Sequence, residues 1–486
     1  MTKLLGLLFC LISILPSPAF PDTFQAKRAD GSLVTFYLDL PADTSNFSLM
    51  ALLQGSTCES VKDKYTEFQG FITQVLKMGV LTVEKPGFPS NGPGCPREYL
   101  EKNTIDQRLS DFQIVMEYLR ANIPAWNQRL YLEGGSEGAT VGGLLAPLVP
   151  EIKALMLLAG GGGRTMAQEL LLLRRKEMLA NGAAEDEIES ALAEMRIKFE
   201  EIRSSPTPDQ TWYGDTNTYK WWSSILDRDL IDPLQHSIAA LYLVQGTADL
   251  SVPVESADEL VAILRQSSRA KVTYVRRDGL SHSWINASGQ SFAEHVFAST
   301  IIWLMALEDQ ELRYRIHELM KQNPTHPDLP ELIKRMTEVD QRNTHALKLL
   351  VARSGFPLIS SHGLNANRDG WLLTQHADHD VAFQRTVLGV LESALHRKDT
   401  NPPDVAYLTD RVMVNERIQT GRPAEQLFGS QGYMEAGCWV PQTILDAGGL
   451  DVRRAQYGLE PFSEYFRRIN EDIGSSSCRW PLAVGE

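Results

Sequence analysis

Residues 129–145 read RLYLEGGSEGATVGGLL, and the fold turns on this stretch. The apolar run from Arg129 to Leu132 predicts a buried strand. It leads into Gly134-Gly135-Ser136-Glu137-Gly138, a G-x-S-x-G string whose glycines allow a sharp turn from strand to helix and lift the serine out of the sheet. The small residues of ATVGGLLAPL then predict a helix that packs closely. A serine hydroxyl is a poor nucleophile until a neighbouring base takes its proton, and the base works only when a carboxylate fixes its tautomer. Ser136 is therefore a candidate nucleophile, and its acid and base are to be sought downstream.

Outward from this turn, short aliphatic runs alternate with amphipathic stretches from Thr23 to about Leu304, the pattern of a largely parallel sheet with helices on its faces. Val34 to Leu40 is an early strand. LMALL (49–53) ends at Gln54-Gly55-Ser56 and GVLTV (79–83) at Glu84-Lys85-Pro86-Gly87, both buried strands closed by turn residues. LSDFQIVMEYLRA (109–121) has helical spacing, and further strands are expected at Ile152–Leu158, Ile238–Val244 and Lys271–Val275, with a helix from about Phe292 to Leu307. Between Arg164 and about Gln235, charged helices and an aromatic-rich stretch interrupt the alternation as an insertion. Beyond about residue 308 the spacing is mainly helical, which places a domain boundary there.

In ALYLVQGTAD, Asp249 stands just beyond a strand, and in VTYVRRDGLSHSW, His282 follows the next one. The chain order Ser, Asp, His puts an acid and a base at successive strand ends. Asp229 and Asp232, inside the insertion, and Asp278, four residues before His282, compete for the acid; His295, within the helical FAEHVFAST, competes for the base. Acyl transfer also needs backbone N–H donors aimed at the developing oxyanion. Glu137, after the nucleophile, supplies one, and Ser56, with Gly55 behind it, is the candidate for the other.

Taken together these segments resemble the α/β-hydrolase superfamily over roughly residues 30–305. The loop Gln54-Gly55-Ser56 departs from the frequent His-Gly at the oxyanion position. The resemblance implies hydrolysis through an acyl-enzyme, in which Ser136 attacks, His282 moves the proton and Asp249 orients the imidazole, with no metal or organic cofactor. It also places the insertion, about residues 164–235, where the superfamily commonly carries a lid. Trp212, Tyr219 and Trp222, with Tyr213 and Trp221, would give that lid an aromatic underside for an acyl chain or hydrophobic side chain; the same rings would serve equally to pin it onto the sheet.

The segments WLLTQHADHDVAFQ, AYLTDRVMVNE, QLFGSQGY and DVRRAQYGLEPFSEY resemble a bacterial domain family of unknown function over about residues 310–470. His376, Asp378, His379 and Asp380 are residue types that bind metals or move protons, with Asp410-Arg411 as pairing partners. The alternative is a buried polar network between helices, favoured because residues so close in sequence point to different helix faces.

Composition sets the frame. Apolar residues make up 43% and charged residues 22%, as in ordinary soluble globular proteins. A formal net charge of −14 without a Lys/Arg-rich run opposes nucleic-acid binding, which rests on neutralising phosphates. Lys3, the apolar run Leu4–Leu15, and Ser17 and Ala19 before Phe20 predict a cleaved export signal at residues 1–19. The run falls short of the ~20 residues of a spanning helix, so no stable membrane insertion is expected. Cleavage removes Cys10 and leaves Cys58, Cys95, Cys438 and Cys478, an even set for an oxidising compartment. Of the three pairings possible, sequence proximity favours Cys58 with Cys95 and Cys438 with Cys478.

The expected architecture is an α/β-hydrolase fold with a helical lid at residues 20–307, followed by a smaller, mainly α-helical domain at residues 308–486. The expected function is an exported (periplasmic or secreted) serine hydrolase acting on a small ester or peptide substrate, as esterase or peptidase. A contrasting reading is a cell-envelope binding protein with an inactive hydrolase-like domain; intact Ser136, Asp249 and His282 argue against it.

Overall fold

The computed structural model describes residues 22–62, 64–90, 92, 94–267, 271–474 and 478. The leader expected at residues 1–19 lies outside the described residues. The chain divides into two compact units, one ending at Ala293 and the other beginning at Glu294.

The first unit runs β1 (Asp22–Lys27), β2 (Leu33–Asp39), β3 (Phe47–Leu53), α1 (Thr66–Gln74), β4 (Gly79–Val83), α2 (Arg97–Lys102), α3 (Ile105–Asn122), β5 (Trp126–Gly135), α4 (Glu137–Leu145) and β6 (Ile152–Leu158). There follow α5 (Met166–Ala180), α6 (Glu185–Ser204), α7 (Tyr219–Ile225), α8 (Ile231–Gln235), β7 (Ala240–Gly246), α9 (Val254–Gln266) and β8 (Val272–Arg277). The strands form one sheet in the order β1-β2-β4-β3-β5-β6-β7-β8. β2 is antiparallel to both β1 and β4, and from β4 onward every pair is parallel. This is an α/β-hydrolase-like fold.

Side-chain pattern explains the order. β7, ALYLVQG, is buried at every position, as befits a strand covered by helices on both faces, whereas β1 at the edge is mostly exposed. α3 starts where Thr104 accepts the Gln107 N–H at 3.0 Å, and buries Leu109, Phe112, Val115, Met116 and Leu119 along one stripe. Each such side chain contributes roughly 1.5–3 kcal/mol on leaving water. α4 lies against β3 so closely that a Cβ on Gly138 would sit 2.2 Å from the Leu53 carbonyl oxygen. Only glycine permits that approach.

The second unit is mainly helical: α10 (Ala293–Gln322), α11 (Leu329–Ser354), α12 (Ile359–His362), α13 (Leu364–Gln375), α14 (Val381–Leu395), α15 (Pro402–Gln419), and, after short strands, α16 (Leu450–Gln456) and α17 (Phe462–Asp472). Residue 308, where the sequence pattern changes, lies inside α10. The strands are β9 (Glu425–Gln426), β10 (Gly432–Glu435), β11 (Cys438–Pro441) and β12 (Thr443–Ile444); β10 and β11 pair antiparallel, and β9 and β12 parallel. Both expected disulfides form, Cys58–Cys95 and Cys438–Cys478, with Cα atoms 5.8 and 5.9 Å apart. No helix among the described residues is long and apolar enough to cross a membrane.

Candidate active site

Ser136 sits between the last residue of β5 and the first of α4 with φ 55° and ψ −124°, a conformation that costs a non-glycine residue about 1–3 kcal/mol. Its surroundings hold it there. The Ser136 N–H donates to Leu158 O at 2.9 Å, and its carbonyl accepts from Ala139 at 2.9 Å and Thr140 at 3.2 Å. The turn thus presents the side chain of Ser136 at the carboxyl end of the sheet, as the G-x-S-x-G reading expects.

Asp249 follows β7 and its side chain is fully shielded from solvent. Oδ1 accepts the N–H groups of Ser251 at 2.8 Å and Val252 at 2.9 Å. Oδ2 accepts from Gln245 Nε2 at 2.9 Å and pairs with His282 Nδ1 at 2.8 Å. With Nδ1 turned to the carboxylate, Nε2 is left as the basic nitrogen of a half-buried ring. The loops carrying the two residues are joined: Thr247 N donates to Arg277 O and Ala248 N to Leu280 O, both at 3.0 Å. Among the described residues the Ser136 hydroxyl makes no hydrogen bond to His282; such contacts often tighten only around substrate.

Three of the four competing residues have neighbours of their own. Asp229 accepts the Ile231 N–H at 2.9 Å, Asp232 lies 3.3 Å from His236, and His295 lies against His362 in the second unit, with ring centroids 4.7 Å apart and the planes tilted by 49°.

Gly55 adjoins the nucleophile: a Cβ there would lie 3.8 Å from Ser136 Cβ. Glu137 is the first residue of α4, where a helix offers its N–H no intrahelical acceptor. The Glu137 side chain was not singled out by sequence reasoning, and it is buried in an ion cluster. It pairs with Arg108, lies 3.6 Å from Lys85 Nζ, and accepts Trp221 Nε1 at 2.9 Å. Burial works against its charge, but Lys85 and Arg108 outweigh that and hold its pKa below the ordinary carboxylate value.

In the insertion, Trp222 contacts Trp212 and Trp221 with ring centroids 4.9 and 4.8 Å away, and donates its Nε1 to Trp212 O at 2.8 Å. The Tyr219 hydroxyl bonds Glu201 at 2.9 Å and Lys198 at 3.0 Å. Tyr219 and Trp222 are each only 5% exposed, so their rings pack within the unit rather than face solvent. Glu169, on α5, is another buried acid that sequence reasoning passed over. Burial lifts its pKa from 4.5 to about 7, and nearby Asp249 adds to the rise.

In the second unit the tight sequence cluster disperses. His376 turns to Asp309, Asp378 pairs with Arg411, and Asp380 caps α14 through the Phe383 N–H at 3.0 Å while binding Lys348 at 2.8 Å. Asp410 does not join them: it accepts the N–H groups of Leu427, Phe428 and Ser430 at 2.8, 2.9 and 2.9 Å. Asp309, Asp340 and His376 bring ligand-type atoms within 4.8 Å of one another. Arg313 already bonds both carboxylates, at 2.9 Å to Asp309 and 2.5 Å to Asp340.

No curated protein matches the chain. Among solved structures it is distantly similar to a puromycin-hydrolyzing peptidase of Mycobacterium tuberculosis, at 17% identity and a TM-score of 0.38, over 54% of this chain and 37% of that one. The chain thus spans little more than a third of that peptidase. Est1E from Butyrivibrio proteoclasticus is similar at 17% identity and a TM-score of 0.34, over 54% of this chain and 90% of that one. A thermophilic esterase from Thermogutta terrifontis is similar at 15% identity and a TM-score of 0.34, over 55% and 85%. Residues 299–477 match a family described as "Family of unknown function (DUF6624)". The chain therefore joins an α/β-hydrolase-like N-terminal region to a C-terminal DUF6624 domain.

Proposed function

We propose that the first unit is a serine hydrolase that cleaves ester or amide bonds through an acyl-enzyme on Ser136. The observation that carries this reading is the pairing of Asp249 with His282 Nδ1 at 2.8 Å, beyond the ends of β7 and β8 and downstream of the Ser136 turn. In the mechanism, Ser136 Oγ attacks the carbonyl carbon while His282 Nε2 takes its proton. The tetrahedral intermediate places its negative oxygen against backbone N–H groups of Glu137 and of the loop after β3. Its collapse expels the alcohol or amine, which leaves with the proton from His282. Water, deprotonated by the same imidazole, then attacks the acyl-enzyme, and collapse releases the acid as His282 returns that proton to Ser136 Oγ. Asp249 remains ionised throughout, fixing the tautomer and stabilising the imidazolium.

Export belongs to the same proposal. Two disulfides support it, since such bonds persist in oxidising compartments. The insertion would cover the pocket, with Trp212, Tyr219 and Trp222 as its aromatic frame. Stopped-flow hydrolysis of p-nitrophenyl butyrate tests the chemistry. The expected result is a burst of one equivalent of p-nitrophenol per chain, absent in Ser136→Ala; a burst that survives in this variant would overturn the assignment. Parallel rates on an aminoacyl p-nitroanilide distinguish esterase from peptidase action.

A further inference from the structure

The loop after β3 is held by its carbonyls, from one side. Lys85, just beyond β4, has a side chain only 1% exposed. Its Nζ donates to Gly55 O at 2.6 Å and to Thr57 O at 3.0 Å. Arg108, from α3, donates Nη2 to Gln54 O at 2.8 Å. Three carbonyls within four residues are therefore turned onto two buried cations.

The consequence follows from peptide geometry. In a planar trans peptide the C=O and N–H point in opposite directions, and the cis bond among the described residues is Phe88–Pro89, outside this loop. The Gly55 N–H therefore points away from Arg108, and the Ser56 N–H away from Lys85. The carbonyl face of the loop looks into the interior and its amide face looks out. The loop also runs beside the nucleophile, with a Cβ on Gly55 lying 3.4 Å from Gly135 O and 3.8 Å from Ser136 Cβ.

Two cations out of water require a counter-charge, and Glu137 supplies it, pairing with Arg108 and lying 3.6 Å from Lys85. Burial lowers the Lys85 pKa, to about 7, against the pull of Glu137. The carbonyls of Gly55 and Thr57 take two of the three donors of the ammonium form, and the Glu137 carboxylate stands 3.6 Å away as its counter-charge. A cluster that served only to join β4, α3 and α4 would have no need to converge on the carbonyls of one short loop.

We propose that Lys85 and Arg108 are positioning residues, a clamp that grips the carbonyls of Gln54, Gly55 and Thr57 and so presents the Gly55 and Ser56 N–H groups to the oxyanion formed at Ser136. The proposal rests on the acyl-enzyme reading of Ser136. Glu137 then has two parts in it: its N–H is a donor, and its carboxylate balances the clamp.

The test uses the full chain with Lys85→Met, which removes all donors, and Lys85→Gln, which keeps an amide for the two carbonyls. Losing an oxyanion donor costs roughly 10²–10³-fold in rate. For Lys85→Met the expected fall is on the order of 10²-fold in both acylation and deacylation of p-nitrophenyl butyrate, with KM within about 2-fold of wild type. Lys85→Gln recovers part of the rate, and in Lys85→Met hydrogen exchange quickens in the peptide spanning residues 54–60. A folded Lys85→Met that acylates at the wild-type rate, or that loses KM instead of rate, overturns the clamp. Should Lys85→Met fail to fold, Arg108→Met, which removes the contact to Gln54 O, decides, and a wild-type acylation rate in it is equally fatal. A wild-type chain without a burst removes the acyl-enzyme reading and the clamp together; a wild-type burst left unchanged by both substitutions removes the clamp alone.

Discussion

In both units an aspartate shut away from water faces the Nδ1 of a half-buried histidine, at 2.8 Å for Asp249 and His282 and at 2.9 Å for Asp309 and His376. What else touches the carboxylate differs. Asp249 is held by neutral donors, the N–H groups of Ser251 and Val252 and the amide of Gln245. Its remaining partner is the imidazole of His282. Asp309 lies beside both His376 and the guanidinium of Arg313, which also binds Asp340, so the imidazole shares this carboxylate with a permanent cation. The first pair stands on loops after adjacent strands, the second on α10 and at the C-terminal end of α13. An aspartate beside a histidine is thus weak evidence for catalysis until the other partners of the acid are known.

The comparison breaks most readily at the acids. Asp249→Asn should lower the acylation rate by about 10⁴-fold, since the wrong tautomer then faces Ser136, with little loss of stability. Equal acylation in wild type and variant would place Asp249 with Asp309 as a structural residue. Asp309→Asn should do the reverse: the first unit acylates normally, while urea unfolding reports roughly 3 kcal/mol of lost stability as the buried ion pair with Arg313 is broken. A large fall in acylation in that variant would join the two pairs functionally and contradict their separation.

Glu169 gives a finer probe of the acid side. Its carboxyl titrates higher in the fold, at about 7, than its ordinary 4.5. The protonated form is favoured by folding, so this contribution to stability is complete below 4.5 and is lost as pH rises through about 7. Glu169→Gln should remove that decline, its melting temperature rising relative to wild type between pH 5 and pH 8; parallel curves would mean that Glu169 is not buried as an acid. The smallest effect is expected at His376. His376→Ala should leave acylation within about 2-fold of wild type, against the 10²-fold or more of a lost acid or base.

Much of the sheet is legible in sequence because buried parallel strands are short unbroken apolar runs: Gly79–Val83 and Ile152–Leu158 are read to the residue. The strand read at Ile238–Val244 forms instead at Ala240–Gly246, because Ile238 is exposed and an apolar run does not mark its own ends. β1 has too little burial to show a pattern, and β9 to β12 are too short. Ser136, Asp249 and His282 are legible through their strand ends. The Lys85, Arg108 and Glu137 cluster is not, since charged residues from β4, α3 and α4 are far apart in sequence and only the fold shows that all are buried together. A lysine just after a buried strand and a glutamate just after a candidate nucleophile are the faint signals that the sequence offers.

The central claim is that Ser136 is the nucleophile of the first unit. It is tested most directly by incubating the full chain with a fluorophosphonate and locating the adduct by peptide mass mapping. One adduct per chain is expected, on Ser136, lost in Ser136→Ala and strongly slowed in His282→Ala. No adduct on the folded wild-type protein, or an adduct on another residue that persists in Ser136→Ala, would contradict it.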